Sequence, residues 1–414
     1  MPIFDLQWVR AQFPALAMEV NGLPAVFFDG PGGTQVPHAV PQAMVDYLTH
    51  ANANLHGAFV TSQRTEAVVA TARQAIADLL GCAPDEVVFG SNMTTLTWAM
   101  SRVIGRVLHP GDEVVVTCLD HDANVAPWLA LKEQGVVVRT VDIHPHNCTL
   151  DMGNLKQQLT DRTRLVAIAY ASNAVGTVNP IAEVVQLAHT VGAWVFVDAV
   201  HYAPHGPIDV RSLDCDFLLC SAYKFFGPHV GILYGKRALL AQLQPFKVRP
   251  SPDTVPDRWE TGTLNFEGLA GLGATIQYLT ELGQRVSPAA STRRQALVAA
   301  MGTIQEYERS LSLALIPNLL QIPGMQVYGI TDPGEFGWRT PTIGLRLAGY
   351  TPLELATALG KQGIFTWNGN FYALNLTQRL GLESGGGLVR IGLAHYNTTA
   401  EIERLLQNLH ELVC

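Results

Sequence analysis

From residue 87 to residue 235 the chain alternates short apolar runs with longer stretches of helical period. Strands are predicted over Val87–Gly90, Glu113–Thr117, Val136–Val141, Leu165–Tyr170, Trp194–Asp198 and Phe217–Cys220, and a further apolar run covers Val230–Tyr234. Helices fall between them: one opens at Ser91–Thr95 and runs to about Val107, and others cover Trp128–Gln134, Gly153–Leu159 and Ile181–Val191. Apolar strands separated by helices need crossover connections, which give a mainly parallel sheet covered on both faces. Ahead of this unit, residues 5–13, Pro37–His50 and the alanine-rich Glu66–Leu80 read as helices. Val26–Asp29 reads as a strand end before the turn Gly30–Gly33.

The pattern shifts near residue 245, where Pro245, Pro250, Pro252 and Pro256 mark an irregular stretch before a long helical segment that starts near Asn265. Helices over Thr303–Ala314 and Pro352–Lys361 then mix with strands over Thr342–Arg346 and Leu388–Ile391. The reading is an α/β fold: a large sheet domain over residues 21–265, a smaller α+β domain over 266–414, and a segment 1–20 packing with the small domain. A chain of 414 residues is long enough to need two cores.

Composition narrows the function. Hydrophobic residues make up 48% and charged residues 15%, a globular balance. The net charge of -8, with no run of lysine or arginine, offers no footprint for nucleic acid or an anionic membrane. The six cysteines form no CxxC pair, so neither a metal site nor a disulfide framework is signalled. No apolar run reaches the roughly 18 residues that span a bilayer, and no signal peptide is visible. A soluble, cytoplasmic protein with a small-molecule ligand is expected.

The chemistry concentrates in Phe217-Leu218-Leu219-Cys220-Ser221-Ala222-Tyr223-Lys224-Phe225-Phe226-Gly227-Pro228. A lysine stands where an apolar strand breaks into an aromatic, glycine-containing turn. Burial there lowers an ammonium's pKa towards the free amine, a nucleophile suited to a Schiff base with a carbonyl cofactor, above all pyridoxal phosphate. Ligands of open α/β sheets sit beyond the strands' carboxyl ends. At those ends lie Asp198, suited to a protonated pyridine nitrogen, Asn173, suited to a phenolic oxygen, and His121, an imidazole placed to lie against a ring. Thr94 and Thr95 open a helix, a place for phosphate. Each has an ordinary alternative as a cap or a satisfied polar residue; their occurrence together in one order favours the site.

These residues resemble the fold-type I pyridoxal phosphate enzymes, specifically the class V aminotransferase group that includes cysteine desulfurases and selenocysteine lyases. Ser221–Pro228 is similar to that group's Ser-x-His-Lys-x-x-Gly-Pro motif, with Tyr223 in place of histidine; the resemblance implies Lys224 as the cofactor lysine, with Ser221 and Tyr223 on the phosphate. It also implies ring stacking by His121, phenolic-oxygen contacts from Asn173 and His201, phosphate contacts from Thr94 and Thr95, and a substrate carboxylate held by Arg390. Glu260-Thr261-Gly262-Thr263 resembles a segment that crosses a dimer interface to the phosphate, so a homodimer sharing its sites through Thr263 is implied. His56 resembles a loop residue near the substrate.

The match fails at one place. A desulfurase of this group carries a cysteine on a loop shortly before the arginine, and here that position falls on Tyr372, while Trp367 replaces an arginine. A phenol cannot accept sulfur as a persulfide. Carbon–sulfur lyase chemistry on cysteine or a related small amino acid remains the leading expectation, with Lys224, His121 and Tyr372 catalytic and Arg390, His56 and Trp367 on the substrate. Transamination and epimerisation are the alternatives on the same scaffold, and a role for Cys414 would need the tail to fold into the site.

Overall fold

Seven short runs rich in valine, leucine, isoleucine and phenylalanine build the main sheet of the computed structural model, which describes residues 4–413. They are β1 (Val87–Gly90), β2 (Glu113–Thr117), β3 (Val137–Val141), β4 (Thr163–Ala169), β5 (Trp194–Asp198), β6 (Phe217–Ser221) and β7 (Gly231–Gly235). Their spatial order is β1-β7-β6-β5-β4-β2-β3. Only β7 runs against its neighbours; the pairings of β6, β5, β4, β2 and β3 are all parallel. The cause of the exception is length: the link 222–230 between β6 and β7 is too short for the crossover that a parallel return needs. That link carries Lys224.

A second sheet has the order β8-β9-β11-β10, built from β8 (Met325–Tyr328), β9 (Thr342–Leu347), β10 (Trp367–Gly369) and β11 (Leu388–Gly392), all antiparallel. The two sheets are tied by helices that follow residue 265. The helices used below are α1 (Val60–Leu80), α2 (Met93–Gly105), α3 (Phe266–Val286) and α4 (Arg293–Leu319). Leu269, Leu272, Ile276 and Leu279 of α3 bury in the core of the large sheet, and so do Leu297, Ala300, Met301 and Ile304 of α4. The far half of α4, through Leu311, Leu315, Ile316 and Leu319, packs with Ile343, Leu345, Val389 and Ile391 of the second sheet. Val26 and Phe28 also belong to that second core, because Val26–Phe27 pairs in parallel with Ile364–Phe365. Phe13 contacts Phe226, Tyr278 and Tyr396 edge-on or tilted, so the N-terminal segment packs into the core of the large sheet.

Two helices differ from expectation in their limits. The helix α1 begins at Val60 rather than Glu66: Ser62 and Thr65 turn inward and donate to the carbonyls of Asn54, Ala51 and Ala53, so a polar stretch is drawn into a helix. A capping box between Thr292 and Gln295 starts α4 ten residues before the expected Thr303.

The α3–α4 contact depends on Gly283, where an added Cβ would run into the Ala296 backbone carbonyl; at Gly273 of the same helix it would meet nothing within 4 Å. Gly283→Ala is therefore expected to destabilise by about 2 kcal/mol or more, and Gly273→Ala to be neutral or to stabilise by roughly 0.5–1 kcal/mol. The denaturant midpoint should fall for Gly283→Ala and hold or rise for Gly273→Ala; coincident midpoints would contradict this account of the contact.

Candidate active site

The carboxyl ends of β2, β4, β5 and β6, the start of α2 and the loop after β10 enclose a cavity of about 980 Å³. Lys224 sits in a 3-10 turn at its floor and donates from Nζ to the Pro31 carbonyl. Two residues on, Phe226 takes a left-handed φ of 71°. Such a conformation is costly for an aromatic residue; it is held by the Phe226 N–H bond to Thr34 Oγ1 (2.8 Å) and by a ring buried against His395 (4.5 Å between centroids). Burial, and secondarily the Arg390 guanidinium, push the Lys224 amine down to about 7, with Asp198 pulling the other way.

Asp198 closes β5 with a buried carboxylate that accepts from the Val200 N–H (2.9 Å); burial raises it to about 6 against the pull of that bond and of Lys224. At the end of β2, burial and then the charges of Lys224 and Arg390 lower His121 to about 4. Its Nδ1 accepts from the Ala123 N–H (3.0 Å), which assigns the proton of the neutral ring to Nε2. The loop carrying it is braced by Asp120, which accepts from Thr117 and from Asn124 Nδ2 (2.7 Å). His201 is buried and neutral, with burial the main cause, and its Nε2 meets Thr340 Oγ1 at 3.2 Å. Asn173 donates to the Phe371 carbonyl (2.9 Å) while its Oδ1 is buried without a partner.

On the phosphate-suited side, Asn92 caps α2 by accepting from the Thr95 N–H (2.9 Å), and Thr94 and Thr95 face the cavity from the first turn. Ser221 Oγ accepts from the Met93 N–H (3.1 Å), which leaves its own proton free to donate. Across the cavity Arg390 is buried in β11, with NH1 on the Asn173 carbonyl (2.9 Å), Nε unpartnered, and its guanidinium 4.2 Å from the centre of the Phe371 ring. Burial lowers Arg390 to about 9, opposed by Asp29 and Tyr223.

Twelve of the fourteen residues singled out from the sequence line this cavity: Lys224, His121, Tyr372, Asp198, His201, Asn173, Thr94, Thr95, Ser221, Tyr223, Arg390 and Trp367. His56 and Thr263 do not. The His56 side chain is exposed and pairs with Glu66 at 3.7 Å. Glu260 is drawn inward by two bonds from Arg73 (3.0 and 2.9 Å) and one from the Phe89 N–H (2.8 Å), which leaves Thr263 on the surface. Sequence reasoning missed Phe371 and Asp29. Asp29 is raised to about 6 by burial and has a buried, unpartnered Oδ1; nothing in the strand pattern marks it, since Arg390 comes near it only through the fold.

No cysteine among the described residues lines the cavity. Burial raises every one of them, Cys118 and Cys148 to about 11, Cys82 and Cys215 to about 12, and Cys220 further still. Cys414 lies outside the described residues.

Residues 26–405 match the family described as Aminotransferase class-V. The chain belongs to that family. This class V chain is 33% identical over 430 residues to a cysteine desulfurase of Pectobacterium atrosepticum, covering 99% of each protein. It superposes on an apo cysteine desulfurase of Thermococcus onnurineus NA1 with a TM-score of 0.87 at 26% identity, covering 98% of each chain. For the S-sulfonic acid form of the Escherichia coli cysteine desulfurase CsdA the TM-score is 0.83 at 27% identity, with both chains fully covered. The protein is thus a pyridoxal phosphate-dependent enzyme of fold-type I. The cavity fits that cofactor: a near-neutral lysine amine, a buried strand-end carboxylate, an open helix start with two hydroxyls, and an orphaned amide oxygen at Asn173 form a matching donor set.

The lysine's environment has a measurable cost. Its folded value near 7 lies below the ordinary 10.5, so between those pH values the unfolded chain binds the extra proton and stability rises with pH. Below pH 7 the cost is at full size. Cofactor-free Lys224→Met is expected to exceed cofactor-free wild type in stability by on the order of a few kcal/mol there, with the gap closing towards pH 10.5. Denaturant curves across this range test it, and a gap independent of pH would refute the buried-amine account.

Proposed function

We propose that this class V enzyme is a carbon–sulfur lyase of the cysteine desulfurase type, acting on L-cysteine or a related β-sulfur amino acid, and that the sulfur leaves without passing onto an enzyme thiol. The observation that carries the second part is the loop before Arg390, where Tyr372 stands and no described thiol reaches the cavity. The names of the relatives support the substrate type. Desulfuration to alanine needs a nucleophile that accepts sulfur, whereas elimination to pyruvate, ammonium and sulfide needs only a base, an acid and water.

Lys224 would attach the cofactor, Thr94, Thr95, Ser221 and Tyr223 would take its phosphate, Asp198 its ring nitrogen, and Asn173 and His201 its phenolic oxygen, with His121 against the ring. When bound, pyridoxal phosphate supplies an electron sink that acidifies the Cα–H bond. The chain's own groups do the rest. Arg390 grips the substrate carboxylate with its unpartnered edge, since a guanidinium pairs a carboxylate through two parallel bonds. Lys224, with an amine near 7, accepts the Cα proton at neutral pH. Tyr372, whose ring lies 5.3 Å from that of His121 in a stacked arrangement, holds a phenolic proton at the cavity mouth for the departing sulfur. We further propose a cytoplasmic homodimer in which Thr263 and His56 serve the partner's site, a role compatible with their exposure in one chain.

With L-cysteine the holoenzyme is expected to release sulfide and pyruvate in equal amounts; alanine in place of pyruvate would overturn the elimination reading. Lys224→Ala should abolish turnover. Arg390→Lys, which loses the paired bonds, should lower kcat/KM by roughly 10–100-fold, mainly through KM; an unchanged KM would remove Arg390 from the carboxylate role.

A further inference from the structure

Strand β10 and the loop that follows it lay three aromatic rings on three parts of the site. The Trp367 ring covers Gly32, where any Cβ would strike it, and donates from Nε1 to the Asp29 carbonyl (3.2 Å). Phe371 covers the Arg390 guanidinium at 4.2 Å, and Tyr372 stacks on His121. The loop is pinned. Asn173 bonds the Phe371 carbonyl (2.9 Å), the Asp122 N–H bonds the Tyr372 carbonyl (2.7 Å), and Asn370 Oδ1 accepts from the Tyr372 N–H (3.1 Å). Phe371 and Tyr372 both take left-handed φ values, 57° and 58°, a conformation that costs roughly 1–3 kcal/mol per residue and persists only where the surroundings impose it. Trp367 and Tyr372 nevertheless remain 47% and 72% exposed at the cavity mouth.

Charge narrows the ligand further. Apart from imidazoles, the cationic side chains lining the cavity are Lys224 and Arg390, and Asp198 is the lining carboxylate. With Lys224 and Asp198 engaged by the cofactor, Arg390 answers one carboxylate and nothing is left for a second carboxylate or ammonium, whose desolvation would go uncompensated.

We infer that the preferred substrates are S-substituted L-cysteines whose sulfur carries an apolar, preferably aromatic, group seated against Trp367 and Tyr372. The inference rests on the lyase reading above. The Cβ–S bond breaks with its electron pair on sulfur, which takes up a proton and departs as a thiol. Water supplies the keto oxygen of pyruvate, the nitrogen leaves as ammonium, and no oxidant or reductant is required.

The test compares S-benzyl-L-cysteine, S-methyl-L-cysteine, L-cysteine and L-cystine with the holoenzyme, measuring pyruvate and thiol. S-benzyl-L-cysteine is expected to exceed each of the others at least tenfold in kcat/KM. Trp367→Ala and Tyr372→Ala should each reduce the benzyl-to-methyl ratio at least threefold, and Trp367→Phe should preserve most of it. A benzyl-to-methyl ratio near one, a preference for L-cystine or L-cysteine, or a ratio untouched by the alanine variants would overturn the inference. If no substrate yields pyruvate, the lyase reading fails. Titration of the cofactor absorption with the same four compounds then decides the aromatic site: tighter benzyl binding that is lost in the alanine variants upholds it, and equal binding overturns it.

Discussion

Two buried cations share one cavity, and the rest of the site follows from that constraint. Burial lowers the proton affinity of both, and the Arg390 guanidinium lowers that of Lys224 further. The compensating carboxylates, the buried Asp198 and the half-buried Asp29, are both raised to about 6. The same field explains the histidines: His121 and His201 are both held neutral by burial with Lys224 and Arg390 adding to it. A cavity so arranged is short of negative charge, and a ligand bearing a phosphate and a carboxylate supplies what the protein does not.

The scaffold maintains this imbalance by rigidity. Lys224 lies on a link too short to cross the sheet, so its position is set by the pairing of β6 with β7, and the costly backbone of Phe226 is locked by a fully buried ring. Arg390 lies on the second sheet, and α4 holds that sheet against the first by giving half its length to each core. The distance between amine and guanidinium therefore depends on a helix well away from either.

The strands of the large sheet were legible because fully buried strands are uninterrupted apolar runs: Glu113–Thr117 and Trp194–Asp198 lie where periodicity puts them. So was the clustering of Lys224, Asp198, Asn173 and His121, since strand ends must converge on one edge of a parallel sheet. What could not be read was set by tertiary contact. The polar start of α1 is helical only because Ser62 and Thr65 find inward carbonyls. The prolines near residue 250 mark a break in chain direction, and the helices that follow them pack into both cores, which chain pattern alone does not show. Phe371 and Asp29 gain their meaning from Arg390, which is remote from Asp29 in sequence and on a different strand from either.

A tyrosine where the family resemblance implies a thiol, at position 372, alters more than one group. A thiol at that loop would take up sulfur, whereas a phenol can only hand over a proton, so on the proposed lyase reading the sulfur departs with whatever substituent it carries. The five described cysteines do not compensate, because burial holds each far from the thiolate that such transfer requires. Once sulfur is a leaving group and not a transferred atom, discrimination passes to whatever contacts its substituent. In the proposed site those contacts are Trp367 of β10 and Tyr372 of the loop after it, whose backbone strain is offset by bonds to Asn173 and Asp122.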